Sequence, residues 1–434
     1  MSSVSSQPHP PLQMLRQRRL ALAATSVGNL LEQYDNLIYA YSATTLATLF
    51  FPSDSPTSGA LSTFAVFAVG FFARPIGTVV FGHIGDRYGR RPALFISVVL
   101  MGLATALIGC LPTNDTAGML APTLLVVLRL IQGFAVAGEW AGSAAMLVEF
   151  APEGKRGLFG SFNQVSTAAG FLLAAAVIAI NTAVFPGDAM LSFGWRVPFL
   201  LGAVTAIVAA FLRFGLEETP AFAEQESGTA PRTSPLRTAF AHQKAAMLRG
   251  FCFTVGWTVA YFFFLTYLPT YLRTEAEVAE GVVNASTLVG LSVLTTSIVV
   301  FGLWSDRIGR KKLMLTGAAG FVLLSFPIMA LLDTGSTAAV YTGQIIIALC
   351  LGCISGPGPA ALAELFPTSV RYSALGIGYN FAVMAFGGTA AFLASGIVAA
   401  TGTPLAVAIL PTTAALVTLV TVYVMPESYR SPLR

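Results

Sequence analysis

Long apolar stretches dominate this sequence and limit what it can fold into. Twelve of them lie near 20–46, 58–82, 92–112, 119–149, 158–184, 193–214, 247–272, 282–303, 313–333, 337–364, 373–400 and 403–425. A helix of roughly 20 apolar residues crosses the bilayer core. With 55% hydrophobic and only 10% charged residues, the chain lacks the polar side chains that a soluble protein of this length needs. The pattern predicts an all-α membrane protein with twelve transmembrane helices.

The positive residues are distributed unevenly between the loops. If twelve helices alternate, nearly all loop arginines and lysines fall on one side, including Arg213 in the polar stretch after the sixth span. Only Arg196 and Arg273 fall on the other side. Because lysine and arginine are enriched in cytoplasmic loops, both termini are predicted to be cytoplasmic. The expected location is the cell inner (plasma) membrane, as a multi-pass protein.

Motifs of the first half return in the second half in the same order. "GHIGDRYGRR" (Gly82–Arg91) is repeated as "GLWSDRIGRK" (Gly302–Lys311), and "EFAPEGKRG" (Glu149–Gly157) as "ELFPTSVRY" (Glu364–Tyr372). Such repeats predict two pseudo-symmetric six-helix bundles with a substrate path between them. The predicted segments are a cytoplasmic tail (1–19), a first bundle (20–215), a cytoplasmic linker (216–246), a second bundle (247–425) and a cytoplasmic tail (426–434).

The repeated loops combine glycines with acids and arginines. Glycine permits tight turns and close helix contacts, and arginines at helix ends can pair with acids such as Glu149. We therefore predict a latch that closes the cytoplasmic side, although a simple positively charged loop is the alternative. The predicted gate residues are Gly82, Gly85, Asp86, Arg87, Gly89, Arg90, Glu149, Arg156, Asp306, Arg307, Arg310, Glu364 and Arg371.

Several motifs resemble those of a known transporter family. "GHIGDRYGRR" resembles the cytoplasmic loop signature of the major facilitator superfamily, and "RLIQGFAVAGEW" from Arg129 resembles its fourth-helix signature. "FAVGFFARPIG" (Phe67–Gly77), "WRVPFL" (Trp195–Leu200) and "ELFPTSVRYSALGIGYNFAVMAFGGTA" (Glu364–Ala390) resemble the metabolite:proton symporters. That branch includes carriers of proline and betaine, citrate, α-ketoglutarate and shikimate.

This resemblance implies proton-coupled uptake of a small organic acid or zwitterion by alternating access, without a cofactor. The expected partners are the substrate, protons and the lipid bilayer, with no nucleic acid, and the fold is expected to work as a monomer. A uniporter or efflux antiporter on the same fold is the alternative, and a non-transporting sensor is a remote one. An enzyme is not expected, because the sequence has no nucleophile–base pair or metal-binding cluster.

Five ionisable residues lie deep within predicted spans, and all belong to the first half. Such residues are costly in a membrane and are usually functional. We assign proton coupling to Asp35, Glu32 and Glu139, and binding of a substrate carboxylate to Arg129 and Arg74. Fixed salt bridges, Glu32 with Arg74 and Arg129 with Glu139, are the alternative interpretation.

Polar and aromatic residues in the spans are candidates for lining the path. They are Gln33, Tyr34, Asn36, Asn163, Gln164, Trp257, Tyr261, Tyr379 and Asn380. Members of the family usually read close to "EWYDF" in the first helix, whereas this chain reads "EQYDN". Amides at 33 and 36 would make the site less suited to betaine, because a quaternary ammonium favours aromatic faces.

Overall fold

The fold is described from a computed structural model that covers residues 11–52, 56–219, 222, 235–387 and 389–433. Within these ranges the regular secondary structure is entirely helical. Parts of the predicted N-terminal tail (1–10) and linker (220–221 and 223–234), together with Arg434, lie outside the described residues.

Among the described residues, eight α-helices with defined bounds belong to the first half of the chain. They are α1 (Pro11–Tyr41), α2 (Ala43–Phe50), α3 (Pro56–Arg87), α4 (Arg90–Gly109), α5 (Asn114–Ala117), α6 (Leu120–Phe150), α7 (Arg156–Val184) and α8 (Arg196–Phe214). A π-helical turn, Met190–Gly194, precedes α8. The first helix is described from Pro11 onward, so it extends beyond the predicted start near residue 20. The polar segment with three arginines is therefore helical as well.

In the part of the second half that the structure describes, there are ten α-helices. They are α9 (Pro235–His242), α10 (Lys244–Phe262), α11 (Leu268–Thr274), α12 (Glu280–Ile308), α13 (Arg310–Leu332), α14 (Thr337–Ser355), α15 (Gly358–Glu364), α16 (Arg371–Phe386), α17 (Ala390–Thr401) and α18 (Ile409–Val424). A π-helical segment, Phe263–Tyr267, connects α10 to α11.

Nine helical segments of the described residues are long and apolar enough to cross a membrane. They correspond to predicted spans three to ten and span twelve. The other three predicted spans fall on α1, on α3, and on α16 together with α17. A chain of long apolar helices connected by short loops agrees with the all-helical membrane fold expected from the sequence.

Several spans that were predicted as continuous helices are interrupted, among them the first, between α1 and α2, and the eleventh, between α16 and α17. The tenth breaks between α14 and α15 at Gly356 and Pro357, because proline has no backbone N–H to continue the helical hydrogen bonds. The seventh passes through the π-helical segment just before Pro269, which likewise cannot donate to the carbonyl one turn earlier. Isolated π segments are frequent at functional sites, and this one borders the cavity described next.

The two halves touch most extensively along two helix pairs, with further contacts of α6 with α15 and α16 and of α7 with α15. Helix α3 packs against α16, and α7 packs against α12. Within the first half, α1 packs against α7 and α8, and α4 packs against α6 and α8. In the second half, α10 packs against α18 and α12 against α14. The space between the two cross-half pairs holds the candidate site.

Candidate functional site

A cavity of about 780 Å³ lies between the two halves. Helices α1, α3 and α7 contribute one wall, and α10, the π segment, α11, α12 and α16 contribute the other. Eight of the side chains proposed from the sequence line it: Glu32, Gln33, Asn36, Arg74, Gln164, Trp257, Tyr261 and Tyr379. Both amides of "EQYDN" therefore face the cavity.

Glu32 and Arg74 place opposite charges in this cavity. Their relative exposures are only 1% and 4%. Glu32 Oε2 and Arg74 Nε are buried and have no hydrogen-bond partner. The two charges interact, but among the described residues no ion pair of 4.0 Å or less joins them. The sequence-based alternative of a fixed Glu32–Arg74 salt bridge is therefore wrong, and both groups keep bonding capacity for a ligand.

Aromatic rings form a floor where the two halves meet. Trp140 of α6 stacks on Tyr379 of α16 at a centroid distance of 3.7 Å and an angle of 3°. Trp257 of α10 meets Trp140 edge-on at 5.7 Å and donates its indole N–H to Ser355 over 2.8 Å. Tyr261 lies beside Phe171, and its buried hydroxyl has no hydrogen-bond partner. The floor is thus aromatic, and two of its polar groups, the Tyr261 hydroxyl and the Trp140 indole N–H, are buried without a hydrogen-bond partner.

Three residues proposed as lining the path lie in helix contacts instead. Tyr34 donates its hydroxyl to the Pro198 carbonyl of α8 over 2.7 Å. Asn163 donates to the Trp140 carbonyl over 3.3 Å. Asn380 donates to the Ala137 carbonyl over 3.0 Å, which joins α16 to α6. Their polar groups satisfy backbone carbonyls between helices, so the prediction that they line the cavity is wrong.

Arg129 and Asp35 also lie outside the cavity lining, but they are connected to each other. Arg129 donates to Gln132 over 3.0 Å, and its guanidinium lies 4.2 Å from the centroid of the Tyr39 ring. The Gln132 amide donates to Thr105 over 2.7 Å, and the Thr105 hydroxyl lies 2.5 Å from Asp35 Oδ2. The placement of Arg129 against the substrate path, expected from the sequence, is thus not what the structure has.

Glu139 is held in an ion pair that the sequence interpretation missed. Its carboxylate accepts two hydrogen bonds from Arg213, one of them over 2.9 Å, and others from Ser97 and Ser143. Arg213, predicted to lie in a cytoplasmic stretch, is only 1% exposed and therefore joins the five charged residues that were predicted to lie deep within the spans. The alternative that paired Glu139 with Arg129 is wrong. Because Arg213 occupies the last turn of an apolar helix, hydropathy alone could not distinguish it from a loop arginine.

Four predicted gate residues form a first ionic cluster (Asp86, Arg90, Glu149 and Arg371). Arg90 lies 3.1 Å from both Asp86 and Glu149, and Arg371 of the second half lies 2.6 Å from Glu149. Asp86 also accepts the backbone N–H groups at 372 and 373, over 3.1 and 2.8 Å. The cluster is fully buried and joins α3 and α6 to the start of α16.

Four others form a second ionic cluster (Arg156, Asp306, Arg310 and Glu364), related to the first by the sequence repeat. Arg310 lies 2.8 Å from Asp306 and 3.2 Å from Glu364, and Arg156 lies 3.6 Å from Glu364. Asp306 accepts the backbone N–H groups of Gly157 and Leu158 at the start of α7, over 2.8 and 2.9 Å. Each half therefore supplies an aspartate that caps a helix of the other half.

The glycines of the repeat allow these contacts. An added Cβ at Gly85 would overlap the Tyr372 ring, and one at Gly82 would lie 2.8 Å from the Ser373 Cα. Gly89 has a φ of 111°, a conformation that favours glycine. Arg87 and Arg307, by contrast, are exposed and belong to neither cluster, so their assignment to the gate stays a prediction.

Each cluster is buttressed by a glutamate from the end of its own half. Glu218 accepts the backbone N–H groups of Arg90 and Arg91, over 3.0 and 3.1 Å. Glu427 accepts those of Arg310 and Lys311, each over 3.0 Å. Burial raises the pKa of the Glu218 carboxyl, and the backbone N–H groups that it accepts act in the opposite direction. Neither glutamate was among the gate residues predicted from the sequence.

The cavity and the two clusters lie at different levels of the molecule. The clusters close the end that holds the repeated loops. The cavity extends toward the other end, where Arg273 and Asn284 line it and hydrogen-bond to each other over 2.8 Å. The structure is therefore closed on the side of the repeated loops.

Comparisons with known proteins agree with this architecture. A Sugar (and other) transporter family model matches residues 20–234, and a Major Facilitator Superfamily model matches residues 284–434. The chain is 32% identical to the proline/betaine transporter of Escherichia coli (strain K12) over 429 residues, covering 96% of this chain and 85% of that protein. It is 33% identical to the ectoine/proline transporter of Corynebacterium glutamicum over the same length and coverage.

A solved structure shares the fold. The proton:xylose symporter XylE bound to 6-bromo-6-deoxy-D-glucose superposes with a TM-score of 0.80, at 19% identity and over 95% of this chain and 97% of that one. The matching families and relatives are transporters rather than enzymes, and the family consists of multi-pass membrane proteins. The resemblance inferred from the sequence motifs is confirmed: the chain belongs to the major facilitator superfamily, in its metabolite:proton symporter branch.

Proposed function

We propose that this protein takes up a small zwitterion together with protons by alternating access. The observation that carries the proposal is the pair of opposite buried charges, Glu32 and Arg74, in one cavity. Each has a polar atom without a partner in the protein. An ammonium group of the substrate would bind Glu32, and its carboxylate would bind Arg74. The names of the relatives, which include proline, betaine and ectoine transporters, support a zwitterion.

The amides at 33 and 36 refine the substrate class. Gln33 and Asn36 line the cavity beside Glu32. They stand where the family's usual "EWYDF" has tryptophan and phenylalanine, whose rings would favour a quaternary ammonium. Amides offer donors and acceptors, so we propose a zwitterion whose cationic part carries N–H or O–H groups in preference to betaine. Trp257 and Tyr261 remain as the apolar surface against which its carbon skeleton packs.

For the membrane arrangement, we propose twelve spans with both termini in the cytoplasm of the cell and the protein in the inner membrane. The first bundle comprises residues 20–215 and the second 247–425, joined by the cytoplasmic linker 216–246. The two ionic clusters then form a cytoplasmic gate, which is closed in this structure. We propose that the monomer is the working unit and that the proton gradient drives it without a cofactor.

For proton coupling, we propose Asp35 as the proton site and Glu32 as the acid that responds to substrate. Asp35 does not line the substrate cavity and has a hydroxyl partner, so it can change protonation without contact with the substrate. Glu139 is assigned a structural role instead, because Arg213 and two serine hydroxyls saturate its carboxylate.

The test is uptake by purified protein in liposomes with an imposed inward proton gradient. Radiolabelled proline, ectoine, glycine betaine and citrate are compared, with and without a protonophore. We expect accumulation of a zwitterion that the protonophore abolishes. Accumulation that survives the protonophore would contradict proton symport, and uptake that only equilibrates with or without the protonophore would favour the uniport alternative. Accumulation of citrate alone would contradict a zwitterionic substrate.

Variants of the two charges then test the site. Hydrogen bonds to charged groups contribute about 1.5–3 kcal/mol, so Glu32→Gln and Arg74→Gln should each weaken binding by roughly 10- to 100-fold. Glu153→Gln and Arg87→Gln, which change exposed charges, serve as matched controls and should bind normally. Equal binding by all four variants would rule out the proposed charge recognition.

A further inference from the structure

We propose that Thr105 is a positioning residue of the proton site, whose single hydroxyl satisfies Asp35 both when this acid is charged and when it is protonated. Gln132 completes the arrangement by connecting Thr105 to Arg129. This inference rests on the proposed role of Asp35 in proton coupling and adds the residues that let it cycle.

The geometry around Thr105 brings three groups to one oxygen. Thr105 Oγ1 lies 2.5 Å from Asp35 Oδ2, 3.0 Å from the Met101 carbonyl oxygen and 2.7 Å from the Gln132 Nε2. Thr105 is fully buried, and Asp35 and Gln132 are 5% and 3% exposed. The hydroxyl on α4 therefore lies between an acid of α1 and an amide of α6, sheltered from bulk water.

A hydroxyl can donate one hydrogen bond and accept two. When Asp35 is ionised, Thr105 donates its proton to Oδ2 and accepts from the Gln132 amide. When Asp35 is protonated, its O–H donates to Oγ1, and the Thr105 proton turns to the Met101 carbonyl. Oγ1 then accepts from both Asp35 and Gln132, so all of its bonding capacity is used.

This balance matters because an unsatisfied buried polar group is costly. A partner that could only donate would stabilise the charged acid and oppose its protonation. A partner that could only accept would do the reverse. Thr105 leaves neither state with an orphaned group, so Asp35 can gain and lose a proton by rotation of one hydroxyl and without movement of a helix.

Gln132 determines the direction of the hydrogen bond between its side-chain amide and the Thr105 hydroxyl. Its Oε1 accepts from Arg129 over 3.0 Å, which leaves Nε2 to face Thr105. The amide can therefore only donate to Oγ1, and the hydroxyl proton is kept for Asp35 or Met101. The same contact holds the positive charge of Arg129 one amide away from Asp35, without a direct bond that would lock the acid in its charged form.

The other groups facing Asp35 do not duplicate this role. Helix α8 approaches it through Gly202, whose added Cβ would lie 3.1 Å from Asp35 Oδ1. The serine and threonine hydroxyls of α7 that bond to α1 do so at Asn29, away from Asp35. Asp35 interacts electrostatically with Arg129 of α6, Glu32 of α1 and the adjacent phenol of Tyr34. Arg74 of α3 in turn interacts with Arg129 and Glu32. Among the described residues, the hydroxyl that hydrogen-bonds to the Asp35 carboxylate is that of Thr105.

The experiment follows Asp35 protonation directly, by infrared difference spectroscopy of the purified protein as the pH is changed. Asp35→Asn identifies the carboxylic-acid C=O band of this residue. Thr105→Val removes the hydroxyl at nearly constant shape, and Thr105→Ser retains it. Thr78→Val is the matched control, because Thr78 is a buried threonine bonded only to the carbonyl of its own helix at Arg74.

We expect the titration midpoint in Thr105→Val to move to higher pH by on the order of one unit, because the hydrogen bond lost from the charged carboxylate is stronger than the one lost from the protonated acid. Thr105→Ser and Thr78→Val should titrate like the unmodified protein. An unchanged midpoint in Thr105→Val, or an equal shift in Thr78→Val, would overturn the proposal. The absence of an Asp35 band at every pH would also overturn it, because the residue would then not change protonation.

A transport measurement separates this inference from the proposed function. Proline counterflow needs only binding and alternation, whereas accumulation also needs proton coupling. Thr105→Val should lose most of its accumulation relative to Thr105→Ser and keep counterflow. If the unmodified protein transports none of the tested zwitterions, the proposed substrate class fails, and the infrared result still decides the role of Thr105.

Discussion

Replacing Asp86 by asparagine should shift the protein toward the state that is open on the side of the ionic clusters. Asp86 accepts two backbone N–H groups from the first turn of α16, in the other half of the chain. These bonds exist only while the two halves are together on this side. An asparagine side chain at this position would lack the charge, and its single oxygen cannot hold both N–H groups as a carboxylate does.

The size of the shift follows from these bonds. Hydrogen bonds to a charged group contribute about 1.5–3 kcal/mol and neutral ones about 0.5–1.5 kcal/mol. Losing the charge and one of the two bonds should cost the closed state about 2–3 kcal/mol, which changes the ratio of closed to open molecules by about 30- to 150-fold. Asp306→Asn should act similarly, because Asp306 caps α7 across the same boundary.

The assay is double electron–electron resonance between spin labels at Tyr88 and Lys312, two exposed positions in different halves. The four native cysteines are first replaced so that only these sites react. Asp86→Asn should broaden the distance distribution toward longer values, and Asp115→Asn, an exposed acid on α5, should not. Distributions that are identical in Asp86→Asn and the unmodified protein would refute the view that these capping bonds hold the side closed.

The remaining predictions concern the buried pair of Glu139 and Arg213, and thermal unfolding of the purified protein tests them. Gly28→Ala should lower the melting temperature markedly, since an added Cβ would overlap the Arg213 guanidinium. The control Gly396→Ala should not lower it, because no atom lies within 4 Å of the added Cβ. Equal shifts in the two variants would exclude a steric cause. Arg213→Met should cost about 3–5 kcal/mol by leaving Glu139 buried without its partner. Adding Glu139→Leu should recover much of that loss, and no recovery would show that Arg213 stabilises the fold by packing alone.

The large features of this fold could be predicted from the sequence because they depend on composition and repetition. Apolar stretches and the two copies of the loop motif were sufficient to predict an all-helical transporter. They also pointed to the residues that form the two ionic clusters. The breaks at Pro357 and before Pro269 were missed, since the flanking residues are apolar and helix formation was judged by hydropathy alone.

The cavity was predicted less well, for a physical reason. Sequence shows that a residue lies within a span, but the direction of its side chain depends on how neighbouring helices pack. Asn163 and Asn380 have the same chemistry as cavity residues, yet each satisfies a carbonyl of α6. Arg213 was assigned to a cytoplasmic stretch because nothing near it in the sequence indicates a buried partner. Glu139, with which it pairs, lies 74 residues away in the chain.

The stacked rings of Trp140 and Tyr379 have a consequence for any movement of the two halves. One ring belongs to α6 and the other to α16, so they must separate when these helices part. An indole that leaves a stacked phenol for a wetter environment changes its fluorescence intensity and emission colour. The floor of the cavity therefore contains a natural optical reporter, placed where the two halves meet and requiring no added dye.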